Sequence, residues 1–257
     1  MIELFTSGRE EMINFLGLCI QNFIAAVKYT LKGNVKFSSV ISNAAMISYD
    51  SLPISLTIVF IAAVVIALQV SKQFLASGAE SYVGGFLAVA LIRELAPGFA
   101  ALAISARAGT AISAEIANMK VTSQIDAIKT LKVEPVGYYF APRIWAAAIT
   151  IPCVIVFAEL FGIIGGMLIS NLTIGLHPNK YMNSVWLFLN TKDIYVSIFK
   201  GVIFGIIITT VCATQGYLTE NGAKNIGIST TQAAIKSTIF LLIADLIISS
   251  LFYVNLF

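Results

Sequence analysis

Apolar residues follow one another along this sequence in long blocks, which shorter polar stretches separate. After residue 50 the blocks occupy residues 52–70, 83–106, 144–170, 194–213 and 233–256. Each is close to the roughly 20 residues that an α-helix needs to cross a bilayer. A spanning helix satisfies its backbone hydrogen bonds internally. The pattern therefore predicts an all-α polytopic membrane protein, with five transmembrane helices in a domain over residues 46–257.

Residues 1–45 form a separate N-terminal region with a weaker apolar signal. Residues 10–31 are apolar but carry a stripe of small or polar residues at Asn14, Gly17, Gln21 and Lys28. The apolar run is about 16 residues, which is short for a span. An amphipathic helix on the inner membrane surface is therefore favoured over a spanning one. If this helix did span, the N-terminus would lie outside.

The block at residues 83–106 is interrupted by Arg93, Glu94 and Pro97. Neither half is long enough to span alone, so we predict one helix with a charged, irregular middle. Charges at membrane depth are costly and usually face a cavity or a partner. We expect Arg93, Glu94, Leu95 and Pro97 to line a substrate cavity. The alternative is that Arg93 and Glu94 only neutralise each other.

Small residues in the other blocks predict how the helices pack. Pro53 falls in the first turn of the first block, where its missing N–H costs nothing. Gly162-x-x-x-Gly166 in the third block and Gly201-x-x-x-Gly205 in the fourth let helix backbones approach closely in lipid. These motifs predict tight packing and say little about function.

Two acidic residues interrupt otherwise apolar blocks. Glu159 lies in the third block and Asp245 near the middle of the fifth. A lone carboxylate in a membrane helix either bonds a neighbouring helix or takes part in transport, and both interpretations stay open. The polar loop between the third and fourth blocks carries Tyr181 and Trp186, aromatic residues that suit a membrane interface.

A polar stretch at residues 107–143 separates the second and third blocks. Its apolar residues recur mostly three or four apart, which is helical spacing: Ile112, Ile116, Met119, Ile125, Ile128 and Leu131. Ser123 and Asp126 have the spacing of a capping box, and Pro135 disfavours helix at Glu134. We predict a short amphipathic helix over residues 124–133, which either docks a soluble partner or rests on lipid.

Composition agrees with a membrane protein and excludes several functions. The chain is 58% hydrophobic and 11% charged, with a mean hydropathy of +0.89, whereas soluble domains are about 25% charged. A net charge of +3 is too small and dispersed for nucleic acid binding. The three cysteines fit no zinc or disulfide pattern, and His177 has no histidine partner. We expect neither a cofactor nor a metal site.

Basic residues predict the orientation. With the N-terminus inside, eleven fall on the inner side and four on the outer side, at Lys72, Lys180, Lys192 and Lys200. Inner loops carry the excess of lysine and arginine. We therefore place the N-terminus and the loops at residues 107–143 and 214–232 in the cytoplasm.

Catalytic motifs are missing from the sequence. Residues 222–229 approach the spacing of a P-loop, but Ile228 replaces the lysine that must reach the phosphates. No nucleophile elbow or zinc-binding helix motif occurs. Uphill movement of a substrate would then need an ATPase on another chain or an ion gradient. An ion-coupled carrier would use Glu94, Glu159 or Asp245 to carry protons; a membrane-embedded enzyme is the weakest alternative.

Residues 93–146 closely resemble the signature of the MlaE/YrbE-type permeases, the membrane subunits of ABC transporters that work with MCE proteins. The matching residues include Arg93-Glu94-Leu95, Pro97, Arg107-Ala108-Gly109, Ala114-Glu115-Ile116, Met119, Gln124-Ile125-Asp126, Pro135 and Pro142-Arg143, and a second cluster runs from Gly216-Tyr217 to Asp245. The likeness extends from about residue 40 to the C-terminus. Ala96 and Asn221 depart from the family, which often has glycine at these positions.

This resemblance implies a homodimer in the bacterial inner membrane, each half with an amphipathic elbow helix and five spans. The helix in the central loop would be the coupling helix that docks a cytoplasmic ABC ATPase, with Glu115, Met119, Gln124, Ile125, Asp126 and Ile128 in or near the docking surface. Arg93 and Glu94 would face a lipid-holding cavity. A hexameric MCE-domain protein would sit on the outer face, and a small STAS-domain protein often binds the ATPase. The implied substrates are phospholipids moved between the inner and outer membranes to maintain outer-membrane lipid asymmetry.

Overall fold

The computed structural model describes the backbone of residues 2–220 and 222–253, and the side chains from residue 11 onward within those ranges. The described chain is helical throughout and contains no strand. The helices are α1 (Ile2–Leu31), α2 (Phe37–Ala76), α3 (Val83–Ala90), α4 (Ala96–Ile104), α5 (Thr110–Val121), α6 (Gln124–Thr130), α7 (Pro135–Ile174), α8 (Pro178–Phe188), α9 (Thr191–Tyr217) and α10 (Ala223–Tyr253).

Helices α3, α4 and α5 form one continuous rod. Two π-helical segments, Leu91–Leu95 and Ser105–Gly109, join them without a break in the backbone. The prediction of a single helix with an irregular, charged middle is therefore confirmed, since the first π segment contains Arg93 and Glu94. The rod continues to Val121, well beyond the predicted end at residue 106.

Within the described residues, six helical segments are long and apolar enough to cross a membrane: Glu11–Leu31, Phe37–Ala76, Glu80–Val121, Pro135–Ile174, Thr191–Tyr217 and Ala223–Tyr253. The last five contain the five predicted spans as far as the structure describes them, which confirms a polytopic all-α protein. The remaining candidate is Glu11–Leu31 of α1, for which the sequence favours a position on the membrane surface.

Helix α1 packs against three other helices. The ring of Phe15 stacks on Phe240 of α10, with 6.4 Å between centroids. Asn22 donates a hydrogen bond of 3.0 Å to Thr214 of α9. Further along α1, Tyr29 packs on Gly137 of α7, and Thr30 accepts a hydrogen bond from Trp145 of the same helix. This packing supports the interfacial position of α1, which stays a prediction.

Helix α7 is the centre of the bundle and packs against α2, α9 and α1. Its contact with α9 depends on glycine. A methyl group at Gly205 would lie 2.6 Å from the carbonyl oxygen of Ala147, and one at Gly201 would lie 2.8 Å from the Cα of Pro152. Both atoms belong to the α7 backbone, so only glycine permits this approach. Gly162 and Gly166 similarly receive Leu91 and Leu87 of the α3–α5 rod. Tight packing at both predicted motifs is confirmed.

Several predicted boundaries are wrong because polar residues lie inside helices. Pro53 is in the interior of α2, which begins at Phe37 rather than near residue 52. The central loop shrinks to residues 122–134. Within the loop predicted at residues 214–232, α9 continues to Tyr217 and α10 begins at Ala223. The residues that approach a P-loop spacing mostly form the first turns of α10. Asn221 and the end of the fifth block lie outside the described residues.

The loop at residues 171–193 contains a helix that the sequence did not predict. Helix α8 packs on α3, where Gly84 lies against the backbone of Tyr181 and Gly85 against that of Ser184. Tyr181 is therefore fully buried, which corrects its expected place at the membrane interface, whereas Trp186 is exposed. His177 caps α8 by accepting a hydrogen bond from the backbone N–H of Asn179.

We predict that Gly205→Ala destabilises the protein by about 1–3 kcal/mol, because the added methyl group must push α9 away from α7. Gly227→Ala is the matched control, since Gly227 lies in α10 with open space around its Cα. Thermal unfolding in detergent measures both variants. Equal melting temperatures for the two variants would show that the α7–α9 contact is loose.

Candidate functional site

Pro97 determines the geometry of the first π segment. In a regular helix the N–H of residue 97 would bond the carbonyl oxygen of Arg93, but proline has no N–H and its ring clashes with that carbonyl. The backbone here relaxes into π geometry, in which the N–H of Ala96 bonds the carbonyl of Leu91. The carbonyl oxygen of Arg93 is then left without a backbone donor at its usual position.

Lys200 of α9 supplies the missing donor. Its ammonium nitrogen lies 2.6 Å from the carbonyl oxygen of Arg93. The same nitrogen lies 3.0 Å from Glu94 Oε2, 2.7 Å from Asp245 Oδ1 and 2.7 Å from the hydroxyl of Ser249. The Lys200 side chain is 0% exposed. An ammonium group has three protons to donate, and here it is surrounded by acceptors from the rod and from α10.

Arg93 pairs with a different carboxylate. Its Nε lies 2.9 Å from Asp193 Oδ1 and its Nη2 3.3 Å from Asp193 Oδ2, so the guanidinium engages both oxygens. Asp193 is buried and also caps α9 by accepting from the backbone N–H of Asn190. On its open side the Arg93 guanidinium lies 4.5 Å from the ring centroid of Tyr253.

These side chains form one ionic cluster, which we define as Arg93, Glu94, Asp193, Lys200 and Asp245. Two cations face three carboxylates in it. Lys200 lies roughly 14 Å along α9 from its first residue, so the cluster is well inside the bundle. Glu94 is nevertheless 45% exposed and Arg93 32% exposed. A cavity of about 590 Å³ opens beside Arg93, Asp193 and Tyr253.

The second candidate site is the short helix α6. Ser123 and Lys132 flank it in left-handed conformation, with φ of 60° and 58°. The predicted capping box is wrong, because Ser123 turns the chain at the end of α5 and its side chain makes no capping bond. Helix α6 also ends at Thr130 rather than at residue 133.

One buried side chain anchors α6 to the bundle. Ile125 is 0% exposed and packs in the main core, whereas Gln124 and Asp126 are exposed and Ile128 is partly exposed. Asp126 accepts a bond of 2.9 Å from Lys129, which holds the pKa of its carboxyl below the usual range. Ile125 therefore holds α6 in place, and the helix exposes charged side chains on its outer surface.

Comparison with known proteins identifies the family. The family described as Permease MlaE matches residues 40–251. A probable ABC transporter permease of Rickettsia prowazekii is 34% identical over 228 residues, which cover 89% of this chain and 88% of the relative. One from Synechocystis is 32% identical over 245 residues, 93% of each chain. Protein TRIGALACTOSYLDIACYLGLYCEROL 1 of Arabidopsis thaliana, a chloroplast protein, is 30% identical over 87% of this chain and 64% of its own length.

The chain belongs to the MlaE permease family. It is a multi-pass membrane subunit of an ABC transporter, a class of transporter whose permeases work with an ATPase.

The structure of the permease brings some predicted residues together and separates others. Arg93, Glu94 and Asp245 meet in the ionic cluster, and Pro97 shapes the backbone beneath them. The alternative in which Arg93 and Glu94 neutralise each other is wrong, because each pairs with a residue of another helix. Leu95 is partly exposed beside them, and Pro97 is buried.

Glu159 lies apart from the ionic cluster. It is buried in α7 and accepts a hydrogen bond from the hydroxyl of Ser197 on α9. This is a hydrogen bond to a neighbouring helix, which is one of the two interpretations that the sequence left open for Glu159. Glu115 pairs with the guanidinium of Arg143 at 2.7 Å, and its side chain is 40% exposed. Met119 is partly buried against the core.

Three residues of the site escaped the sequence analysis: Lys200, Asp193 and Tyr253. Lys200 had been assigned to the outer side, which is wrong, since it is buried within α9. Its position inside an apolar block was a usable signal, because a lysine at membrane depth needs a carboxylate partner. Asp193 looked like an ordinary loop acid, and Tyr253 carried no signal.

We predict that Lys200→Met destabilises the permease by about 3 kcal/mol or more, because it leaves carboxylates and a carbonyl without their donor. Adding Asp245→Asn should recover part of this loss. Lys72→Met, at an exposed lysine of α2, is the control. Thermal unfolding of the detergent-solubilised variants measures the effect, and wild-type stability for Lys200→Met would contradict the role of Lys200.

Proposed function

We propose that this permease moves phospholipids between the inner and outer membranes of a bacterium and so maintains outer-membrane lipid asymmetry. Energy comes from a separate ATPase subunit, and the permease itself catalyses no reaction. The proposal assigns the ionic cluster to the lipid head group and the apolar helix faces beside it to the acyl chains.

The partial exposure of the ionic cluster is the observation that carries this proposal. Charges placed at membrane depth only for stability would be closed off by their partners, yet Glu94 and Arg93 reach the surface of the protomer. Beside them the described helices expose large apolar side chains, including Leu246 and Leu251 of α10. A charged centre with apolar surroundings fits an amphiphile. The Arabidopsis relative is named after a glycolipid, which supports a lipid substrate.

The proposed assembly is a homodimer with the N-terminus in the cytoplasm and α1 as an elbow helix on the inner surface. Helix α6 docks the cytoplasmic ATPase through Gln124, Asp126 and Ile128, while the buried Ile125 transmits force to the bundle. A hexameric MCE-domain protein covers the outer face, and a STAS-domain protein binds the ATPase. Helix α6 is short and charged, and the buried Ile125 holds it on the bundle, which supports this docking role.

An ion-coupled secondary transporter is the second candidate. It is favoured by the excess of one carboxylate over the cations in the ionic cluster, which leaves a place for a proton. The two candidates differ in their energy source, so a transport assay with either ATP or an imposed proton gradient separates them.

We predict that Asp126→Lys prevents association with the ATPase, because it reverses the charge at the centre of the exposed face of α6 and places it beside Lys129. Glu80→Lys is the matched control: it makes the same charge reversal at the opposite end of the bundle, where α2 turns into α3. Co-purification from mild detergent measures association. Normal recovery of the ATPase with Asp126→Lys would remove α6 from the docking surface.

We predict that Arg93→Ala with Glu94→Ala lowers ATP-driven phospholipid transport about tenfold or more, the factor that 1.4 kcal/mol represents, and impairs transport more than assembly. The control is Asp50→Ala with Arg107→Ala, which also removes one acid and one base but breaks only an exposed ion pair of 3.0 Å elsewhere in the permease. Transport of labelled phospholipid is measured in vesicles with the partner subunits. Equal rates for the two double variants would refute the head-group role, and transport driven by a proton gradient without ATP would support the ion-coupled candidate.

A further inference from the structure

A polar pocket lies at the end of the bundle that carries α6, away from the ionic cluster. It has a volume of about 370 Å³ and is enclosed by the linker between α1 and α2, the first turns of α2 and α7, and α5. It shares no residue with the cavity beside Arg93. Two of its lining residues, Glu115 and Met119, belong to the coupling residues that the family resemblance implies, but the pocket itself has no role in the transport function proposed above.

Arg143 of α7 forms the floor of the pocket and is incompletely satisfied. The residue is 6% exposed. Its Nη1 donates to the carbonyl of Tyr139 at 2.8 Å, and its Nη2 lies 2.7 Å from Glu115 Oε1. Its Nε is buried and has no hydrogen-bond partner among the described residues. Buried guanidinium donors are normally all paired, so the Arg143 guanidinium keeps one unused N–H, which a small shift of the side chain toward the pocket would bring to an acceptor oxygen.

A second cation stands at the mouth of the pocket. Lys36 is exposed and joins no ion pair among the described side chains. It occupies the N-cap position of α2, a helix of 40 residues whose first turn has no side-chain cap. The positive end of the helix dipole and its free N–H groups favour an anion there. Asn34 and Ser42 add neutral donors along the same wall.

The opposite wall suits a positive group. Glu115 is 40% exposed at its side chain, although one of its oxygens pairs with Arg143. Tyr138 and Tyr139 stand beside it with their rings edge to face, 5.1 Å apart, and Tyr29 completes the wall. A carboxylate with tyrosine rings is a favourable environment for an ammonium group. An anion alone would be repelled by Glu115, whereas a phosphate that carries an ammonium group nearby would satisfy both walls.

We propose that this pocket binds the phosphate group of a zwitterionic phosphodiester, through Arg143 and Lys36, with Glu115 and the tyrosines holding its ammonium group. The ligand is either the head group of a membrane phospholipid or a soluble phosphodiester of the same chemistry. Met46 lines the pocket and is 40% exposed, next to exposed apolar residues of α2 such as Tyr49. An acyl chain leaving the pocket would therefore meet an apolar helix surface.

The test uses native mass spectrometry of the full-length permease carrying Arg93→Ala and Glu94→Ala, which removes lipid held by the ionic cluster. Phosphatidylethanolamine is compared with diacylglycerol of the same chains, which lacks the phosphate. Glycerophosphoethanolamine and inorganic phosphate, the soluble probes, are added separately and followed by thermal shift. The proposal expects the phosphate-bearing ligand to be retained over diacylglycerol. It also expects Lys36→Gln to weaken that retention roughly tenfold or more, as the loss of one charge-assisted hydrogen bond implies.

Lys32→Gln is the matched control, since Lys32 is an exposed lysine of the same linker that does not line this pocket. Lys36 carries the test because Arg143→Gln also breaks the bridge to Glu115 and can unfold the protein. Stabilisation by glycerophosphoethanolamine but not by the lipid would support the pocket and assign it a soluble ligand. Equal retention of diacylglycerol and phosphatidylethanolamine, or equal effects of Lys36→Gln and Lys32→Gln on every probe, would overturn the proposal.

Discussion

A hydrogen bond that proline cannot make organises the interior of this permease. Pro97 withholds an N–H from the carbonyl of Arg93, and the ammonium group of Lys200 takes its place. That substitution fixes a lysine at membrane depth, where it requires carboxylates, and Glu94 and Asp245 supply them from two other helices. Because one backbone donor is missing, the ammonium group of Lys200 joins the α3–α5 rod, α9 and α10. Consecutive residues of a helix point in different directions, so Arg93 and Glu94 reach different partners.

The sequence predicts the class of fold because the signal is long and repeated. Five apolar blocks of spanning length admit few structures other than a helical membrane bundle, and five helices contain them. The boundaries are less predictable, since polar residues such as Ser42 and Asn43 near the start of α2 are helical although they lie outside the apolar block. Pro53 shows why a helix start is hard to predict. Proline is usually found in the first turn of a helix, yet Pro53 lies inside a 40-residue helix. Helix α8 was missed because its apolar face packs on only a few residues of α3.

The candidate site was predictable in part for a different reason. Arg93, Glu94 and Asp245 stand out in the sequence because charge is rare in apolar blocks. Their pairing could not be read from the sequence, since Arg93 and Asp193 are a hundred positions apart and Glu94 and Asp245 still further. The neighbours Arg93 and Glu94 looked like a natural pair, but the helix directs them to different neighbours. In α6 the spacing of apolar residues was informative, although it could not show that Ile125 alone is fully buried among Ile125, Ile128 and Leu131.

The packing of α1 on α10, α9 and α7 also determines where the bundle can change shape. Its contacts at Phe15, Asn22, Tyr29 and Thr30 tie it to three helices. The glycine-mediated contact of α7 with α9 holds two of those helices together along their length. Helix α1 also reaches the neighbourhood of the ionic cluster, because Leu16, Ile20 and Phe23 line one groove with Ala244 and Ile247, which flank Asp245 in α10. A displacement of α1 would therefore move the part of α10 that carries the carboxylate paired with Lys200.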